Sequence, residues 1–345
     1  TTIGRAALAA VRPDLSLPEV RSVAEWRLFS KISDAGISWD EPGCGWTPKF
    51  CREVDMTKER PKFLGRAKAG ALPLIEGRMV QTHRFGVKGH ISGTGRSAVW
   101  EAYPIGCSRL SPQFWIRPED MPLGNQHRTD LLRVGFCDIA GQTNERSLMA
   151  ALIPPGVICG NKVPTILFPE DTSEERLQVW TAIANSFVFD WMLRRVLTTT
   201  VNYFLLQSVP LPKLAKNGLP WMKLVSATRE LQTLDKAGST SATYERMAQL
   251  RGEIDTEVAV AYGLDLNDME LVLHDFPILD RGQIALPTES KSTITRDSVL
   301  AAMAKRTGIR STEWQRRAVE ARALGARAYV PSELALGGEE IEQGT

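Results

Sequence analysis

The chain has 345 residues, of which 43% are hydrophobic and 24% charged, and its formal net charge is +2. These values are ordinary for a soluble globular protein long enough for two domains. No run approaches the roughly 20 apolar residues of a membrane span, and the N-terminal segment lacks a signal-peptide pattern. We therefore expect a cytoplasmic protein with no membrane partner.

The five cysteines form no C-x-x-C pair, which argues against a disulfide framework and for reduced thiols. The sequence contains four residues of the types that bind zinc in Cys44, Cys51, His83 and His90. The spacing of the two cysteines is wider than that of usual zinc ligands, so we predict no metal site.

Charge is distributed unevenly along the chain. Residues 61–168 contain 13 Lys and Arg against 7 Asp and Glu, and residues 251–295 contain 3 against 9. A local basic excess favours a polyanionic partner, because each neutralised phosphate releases counterions. An ordinary solvated surface is the competing interpretation.

In the first half of the chain, apolar residues at helical spacing predict one helix over about 18–35. Residues 46–170 are rich in Gly and Pro, which indicates short strands joined by turns. The predicted strands are 72–75, 97–103, 113–117, 131–137 and 163–168.

The second half is predicted to be mainly helical. A helix begins at Thr172 or Ser173 and continues to near Arg194, and Val209 to Pro212 cannot remain helical. Further helices are predicted over 220–238, 240–262 and 264–273, then a loop over 280–295 and a basic helical segment over 296–327.

Several phrases between residues 138 and 279 identify a family resemblance. They are DIAGQTNERS (138–147), LIPPG (152–156), SFVFDWMLRRV (186–196), VNYFLLQSVPLP (201–212) and RGEIDTEVAVAYGLDLNDMELVLHDFPIL (251–279). This succession resembles the target-recognition region of the large adenine-N6 DNA methyltransferases of Type IIG restriction-modification and of the BREX and DISARM phage-defence systems. The resemblance covers most of residues 10–280.

The resemblance implies sequence-specific binding of double-stranded DNA and an α+β fold. The expected parts are a connector from a missing catalytic domain (1–45), a β-rich target-recognition domain with packed helices (46–215), a helical bundle (216–330) and a disordered tail (331–345). The parent enzyme would transfer a methyl group from S-adenosylmethionine to adenine, with its catalytic domain in cis or in trans.

The methyltransferase motifs themselves are absent from the sequence. Adenine-N6 chemistry needs a polar residue before Pro-Pro and an aromatic after it, to hold the flipped base. The only Pro-Pro pair lies between Ile153 and Gly156. No Gly-rich turn follows an apolar strand, so we expect no catalysis and no cofactor in this chain alone.

Candidate DNA contacts cluster in the first half. PLIEGRMV (73–80) resembles the family phrase PLYEGKM, and there Glu76 can accept a hydrogen bond from cytosine while Arg78 can bind phosphate or guanine. The loop that follows interleaves cations with glycines suited to phosphate contact. It contributes His83, Arg84, Lys88 and Arg96.

Further candidates are Gln126, which can pair with adenine, and Arg128 and Arg133, which can pair with guanine. The family phrases add Asn144, Arg146, Lys162 and Asn202. For each group a structural role in turns, ion pairs or surface loops is the alternative. We expect the residues that read sequence to lie between Glu76 and Arg133.

Two other functions remain open. One is that of a protein-interaction module that docks on a separate methylase or defence subunit through its helical tail. A metal-dependent nuclease is suggested by Asp280, Glu289 and Lys291, although this acidic-acidic-Lys spacing is common by chance.

Overall fold

The computed structural model describes residues 3–12, 15–41, 45–138, 144–197, 200–309 and 312–332, without the side chain of Arg96. This part of the chain has a mixed α+β fold, about 41% helical and 14% strand, with a helical C-terminal region. The expected fold class is therefore confirmed. None of the described helices is long and apolar enough to cross a membrane.

The helices in the described residues are α1 (Arg5–Val11), α2 (Val23–Ala35), α3 (Glu175–Ala184), α4 (Phe187–Arg194), α5 (Tyr203–Gln207), α6 (Leu219–Leu234), α7 (Ser241–Ala261), α8 (Leu266–His274), α9 (Ile294–Arg306) and α10 (Glu313–Ala323). The strands are β1 (Gly36–Ile37), β2 (Lys49–Cys51), β3 (Leu72–Ile75), β4 (Val80–Gln81), β5 (Arg84–Phe85), β6 (Lys88–Ser92), β7 (Val99–Ala102), β8 (Phe114–Ile116), β9 (Arg133–Phe136), β10 (Ala150–Ile153), β11 (Ile158–Cys159), β12 (Thr165–Leu167) and β13 (Leu211–Pro212).

The largest sheet has the strand order β10-β9-β12-β2, and all its pairs are antiparallel. Its two strands β9 and β10 are buried along their whole length, and α3 packs against them. This explains the continuous apolar run of Ala150–Ile153, since a strand covered on both faces does not need to alternate. Strand β2, at one edge, is more exposed.

A second sheet has the order β11-β3-β8. Strand β3 pairs in parallel with β11 and antiparallel with β8. Its side chains alternate between two small apolar clusters, Leu74 in one and Ile75 in the other. Strands β6 and β7 form a separate two-stranded hairpin with a register shift between His90 and Ser92.

The main apolar core is shared by the sheet region and the helices that follow it. It extends from Leu28 to Val330 and includes most of α3 and α4. Helix α6 packs on α3 and α7, and α9 packs on α7, α8 and α10. One cluster thus runs across residue 215, where a domain boundary is expected from the sequence.

The helix expected from residue 172 to 194 is two helices. Asn185 interrupts it, because its side chain hydrogen bonds to both the N–H and the carbonyl of Ala150, at 3.0 and 2.8 Å. Ser186 then caps α4 by accepting a hydrogen bond from the N–H of Phe189. These hydrogen bonds join the end of α3 to Ala150 of β10, and a new helix begins after them.

Two other expectations change in detail. The basic segment 296–327 also contains two helices, α9 and α10, and α9 begins inside the expected loop at Ile294. Of the expected tail 331–345, residues 333–345 lie outside the described part of the chain.

Candidate nucleic-acid interface

Arg133 is fully buried and belongs to the interior. Its guanidinium forms a two-pronged ion pair with Glu53, at 2.6 and 3.0 Å, and donates to the carbonyl of Val157 at 2.8 Å. Glu53 is buried as well and also accepts from the N–H of Cys159. This pair joins β9 to the chain after β2, so Arg133 is not available to a base and the sequence-based expectation is corrected.

Three more predicted DNA contacts are buried arginines with partners inside the chain. Arg84 pairs with Asp235 at 2.6 Å, and Arg146 pairs with Asp190 at 2.7 Å. Arg128 donates to the Thr165 hydroxyl at 3.1 Å and to the carbonyl of Lys49. Their burial removes these side chains from the surface, and each joins segments of the chain that are distant in sequence.

His83 is also buried, with a positive φ of 61°. Burial, with Arg251 and Arg146 nearby, holds the pKa of its imidazole well below its usual value. A neutral, buried ring does not serve as a cation for phosphate, so this expectation is corrected too.

A run of exposed cations lies instead along one continuous segment, residues 49–78. All eight of its Lys and Arg side chains are exposed, whereas of its four acids only Asp55 is exposed and Glu53, Glu59 and Glu76 are buried or half-buried. We call these eight residues the cationic edge: Lys49, Arg52, Lys58, Arg60, Lys62, Arg66, Lys68 and Arg78. Its surface charge is therefore strongly positive.

The cationic edge is held in place by the second sheet. Leu64 exchanges two backbone hydrogen bonds with Trp115 of β8, at 2.8 and 2.9 Å. Arg60 lies over the ring of Phe114 at 4.0 Å, and the Lys62 ammonium donates to the carbonyl of Asp120 at 2.8 Å. The loop between β2 and β3 is thus fastened along β8 with its cations facing water.

A groove of about 520 Å³ lies beside this edge and shares Arg52 and Lys58 with it. At its centre Asp138, 1% exposed, pairs with Arg52 at 2.7 Å and lies 3.8 Å from the ammonium of Lys162. Arg52 also donates to the carbonyl of Asn161. The buried carboxylate thereby orients two partly exposed cations at the mouth of the groove. We call this cavity the Asp138 groove.

Gly77 connects the cationic edge to the Asp138 groove. A Cβ at this position would lie 3.3 Å from the carbonyl oxygen of Lys162 and 3.4 Å from the sulfur of Cys137. A side chain here would press the two segments apart. The glycine of PLIEGRMV therefore lets the turn that carries Arg78 rest directly on Lys162.

Arg78 and Glu76, two predicted DNA contacts, lie beside the β6–β7 hairpin. The guanidinium of Arg78 is 4.9 Å from the centre of the Trp100 ring, which also contacts His90. Burial raises the pKa of Glu76, and Arg78, His90 and Arg60 act against that rise. Its Oε1 is buried and has no hydrogen-bond partner in the described part of the chain. The half-buried Glu76 carboxylate therefore lies near Arg78, His90 and Arg60.

The remaining predicted contacts are scattered. Lys162, Asn144 and Asn202 are exposed, and Gln126 and Lys88 are half-buried. Asn202 also caps α5 by accepting from the N–H of Leu205 at 2.9 Å. The side chain of Arg96 lies outside the described part of the chain. Of the predicted set, Arg78, Glu76 and Lys162 are brought together.

The groups suggested for metal chemistry have other partners. Asp280 accepts hydrogen bonds from the backbone and hydroxyl of Thr295, and Glu289 pairs with Arg317. Among the described residues, which exclude Cys44, no group of three or more His, Cys, Asp or Glu side chains is arranged to hold a metal ion.

Sequence reasoning missed most of the cationic edge. The signal was present in TKERPKFLGRAK (57–68), which has five Lys and Arg and one acid in twelve residues. No protein-family model matches this sequence, and comparison with curated proteins gives no match.

Proposed function

We propose that this chain recognises a specific sequence in double-stranded DNA, as the specificity part of an S-adenosylmethionine-dependent adenine-N6 methyltransferase of a restriction-modification or phage-defence system. The observation that carries the DNA-binding part of the proposal is the cationic edge. Eight exposed cations with one exposed acid form the kind of surface that displaces counterions from a phosphate backbone.

The proposal separates two tasks. The cationic edge positions the duplex by contacts with phosphates, which carry no sequence information. Base reading falls to polar groups beside it, chiefly Glu76 and Arg78, while Lys162 at the Asp138 groove adds a further phosphate contact. A carboxylate can accept from cytosine N4, and an arginine can pair with guanine, each with roughly 1–3 kcal/mol of discrimination.

The methyltransferase part rests on the family resemblance of residues 138–279. This chain lacks the Pro-Pro motif in the required context and a Gly-rich cofactor turn. The catalytic domain is therefore a partner in cis or in trans, and S-adenosylmethionine is the cofactor of that partner.

A selection from a random-sequence duplex library tests the proposal most broadly. We expect enrichment of one short sequence motif, with an affinity that falls steeply as salt rises. A folded protein that enriches no motif would contradict sequence-specific recognition. Binding without enrichment of a motif would support phosphate contact by the cationic edge and contradict sequence-specific recognition.

A second candidate function, docking on a separate methylase or defence subunit, is favoured by a groove of about 890 Å³ between α6, α7, α9 and α10. Small residues such as Gly252 and Ala302 form part of its lining. The ion pairs Arg246–Glu230 at 2.6 Å and Arg306–Glu257 at 2.8 Å cross it. If docking is the function, the chain binds a methylase subunit but no duplex in a gel-filtration assay.

A further inference from the structure

Leu123 is almost entirely in water although it is a large apolar residue. Its 94% exposure is the highest of any large apolar side chain in the described residues. Single exposed leucines are common on protein surfaces and need no special explanation. What distinguishes Leu123 is the place where it is held, between the cationic edge and the Asp138 groove.

The turn that carries Leu123 is well fixed. The N–H of Asn125 donates to the carbonyl of Pro122 at 3.2 Å, and Gly124 has a φ of 88°. A positive φ at the third residue, with a proline nearby, is typical of a tight turn that places its second residue at the tip. Leu123 is that second residue.

Both ends of the turn are fastened to residues of the interface. On one side Lys62 of the cationic edge donates to the carbonyl of Asp120. On the other, the Asn125 amide donates to the carbonyl of Glu53 at 3.0 Å, next to Arg52. Pro122 and Asn125 themselves line the Asp138 groove. A duplex lying on the cationic edge would therefore meet Leu123.

We propose that Leu123 is an apolar wedge that inserts between two stacked base pairs of the bound duplex. Apolar side chains used in this way partly unstack a base step, at a cost of a few kcal/mol. Lys62 and Arg52 of the cationic edge, beside the two ends of the turn, supply attraction to phosphates that offsets this cost, and a loosened step eases extrusion of a neighbouring base for a partner methylase. This inference rests on the proposed DNA-binding function.

The test compares two short fluorescein-labelled duplexes that differ only at one central base pair, which is matched in one duplex and mismatched in the other. Because a mismatch lowers the cost of unstacking, we expect the wild-type chain to bind the mismatched duplex roughly tenfold more tightly. Leu123→Ala should lose most of this preference and keep the salt dependence of binding. Its fold should be unaffected, since the side chain buries almost no area, and thermal unfolding checks this.

Leu219→Ala is the matched control, because Leu219 is also an exposed leucine, at 69%, but lies at the start of α6. It should retain the full preference. Equal binding of the two duplexes by the wild-type chain, or an undiminished preference in Leu123→Ala, would overturn the wedge while DNA binding stands. No binding of either duplex by the wild-type chain would overturn the proposed function and the wedge with it.

Discussion

Most of the arginines predicted to read DNA are buried, whereas the cations of residues 49–78, which include the predicted Arg78, reach the surface. Arg84, Arg128, Arg133 and Arg146 are buried and bind partners within the chain. The eight cations of residues 49–78 are exposed on a loop fastened to β8. The difference shows that a local excess of charge in the sequence does not tell which cations are exposed, since a carboxylate elsewhere in the fold can hold an arginine in the interior.

Arg133→Ala should have the largest effect on stability. It removes the closer of the two buried cations from the Glu53 carboxylate and leaves only Arg128, at 3.8 Å. Breaking a buried ion pair typically costs about 3–5 kcal/mol of unfolding free energy. Urea unfolding followed by circular dichroism measures this loss. Arg66→Ala, on the exposed edge, is the matched control and should change the unfolding free energy by less than about 0.5 kcal/mol. If both variants lost a similarly small amount of unfolding free energy, the buried Arg133 would not differ from the exposed Arg66 as we expect.

Asp280 sharpens the same contrast, because it is a buried carboxyl held by Thr295 rather than by an arginine. Burial raises its pKa to about 7. A carboxyl whose pKa is raised on folding binds its proton more tightly in the folded state. Its favourable contribution is complete below the ordinary pKa near 4 and is lost as pH rises to about 7.

The unfolding free energy should therefore fall over that interval by up to about 1.4 kcal/mol per pH unit from this group. Asp280→Asn removes the ionisation, so the variant should gain stability relative to the wild-type chain between pH 4 and pH 7. Thermal unfolding across this range tests it. A constant difference between the two proteins at all pH values would contradict the assignment.

Lys162→Ala should have a small effect, confined to DNA binding. Arg52 still pairs with Asp138, so the fold should keep its stability. Loss of one phosphate contact lowers the slope of log affinity against log salt by about 1. Fluorescence anisotropy with a labelled duplex at several salt concentrations measures the slope. An unchanged slope would place Lys162 outside the interface.

Sequence patterns predicted much of the framework. Strand β3 has the expected bounds, because a short β-prone run followed by a glycine is a local signal. Helices α6, α7 and α8 also follow the expected apolar periodicity closely. These features depend on neighbours in sequence, which a pattern can show.

The locations of the charged side chains could not be predicted in the same way. Arg84 and Asp235 are 151 residues apart, and Arg133 and Glu53 are 80 apart. Each pair forms only when separate elements pack together. Asn185 is similar, since its bond to β10 ends a helix that the periodicity alone would continue. A single sequence does not show which residues far apart in the chain will bind each other in the fold.

The central claim is that the cationic edge binds the duplex, and two triple variants test it most directly. One replaces Lys58, Arg66 and Lys68 by alanine, and the other replaces the exposed cations Arg229, Lys236 and Lys305 of the C-terminal helical region. We expect the first variant to reduce the salt slope of duplex binding by roughly 2–3, and the second to leave it unchanged. Equal slopes in the two variants would contradict the account.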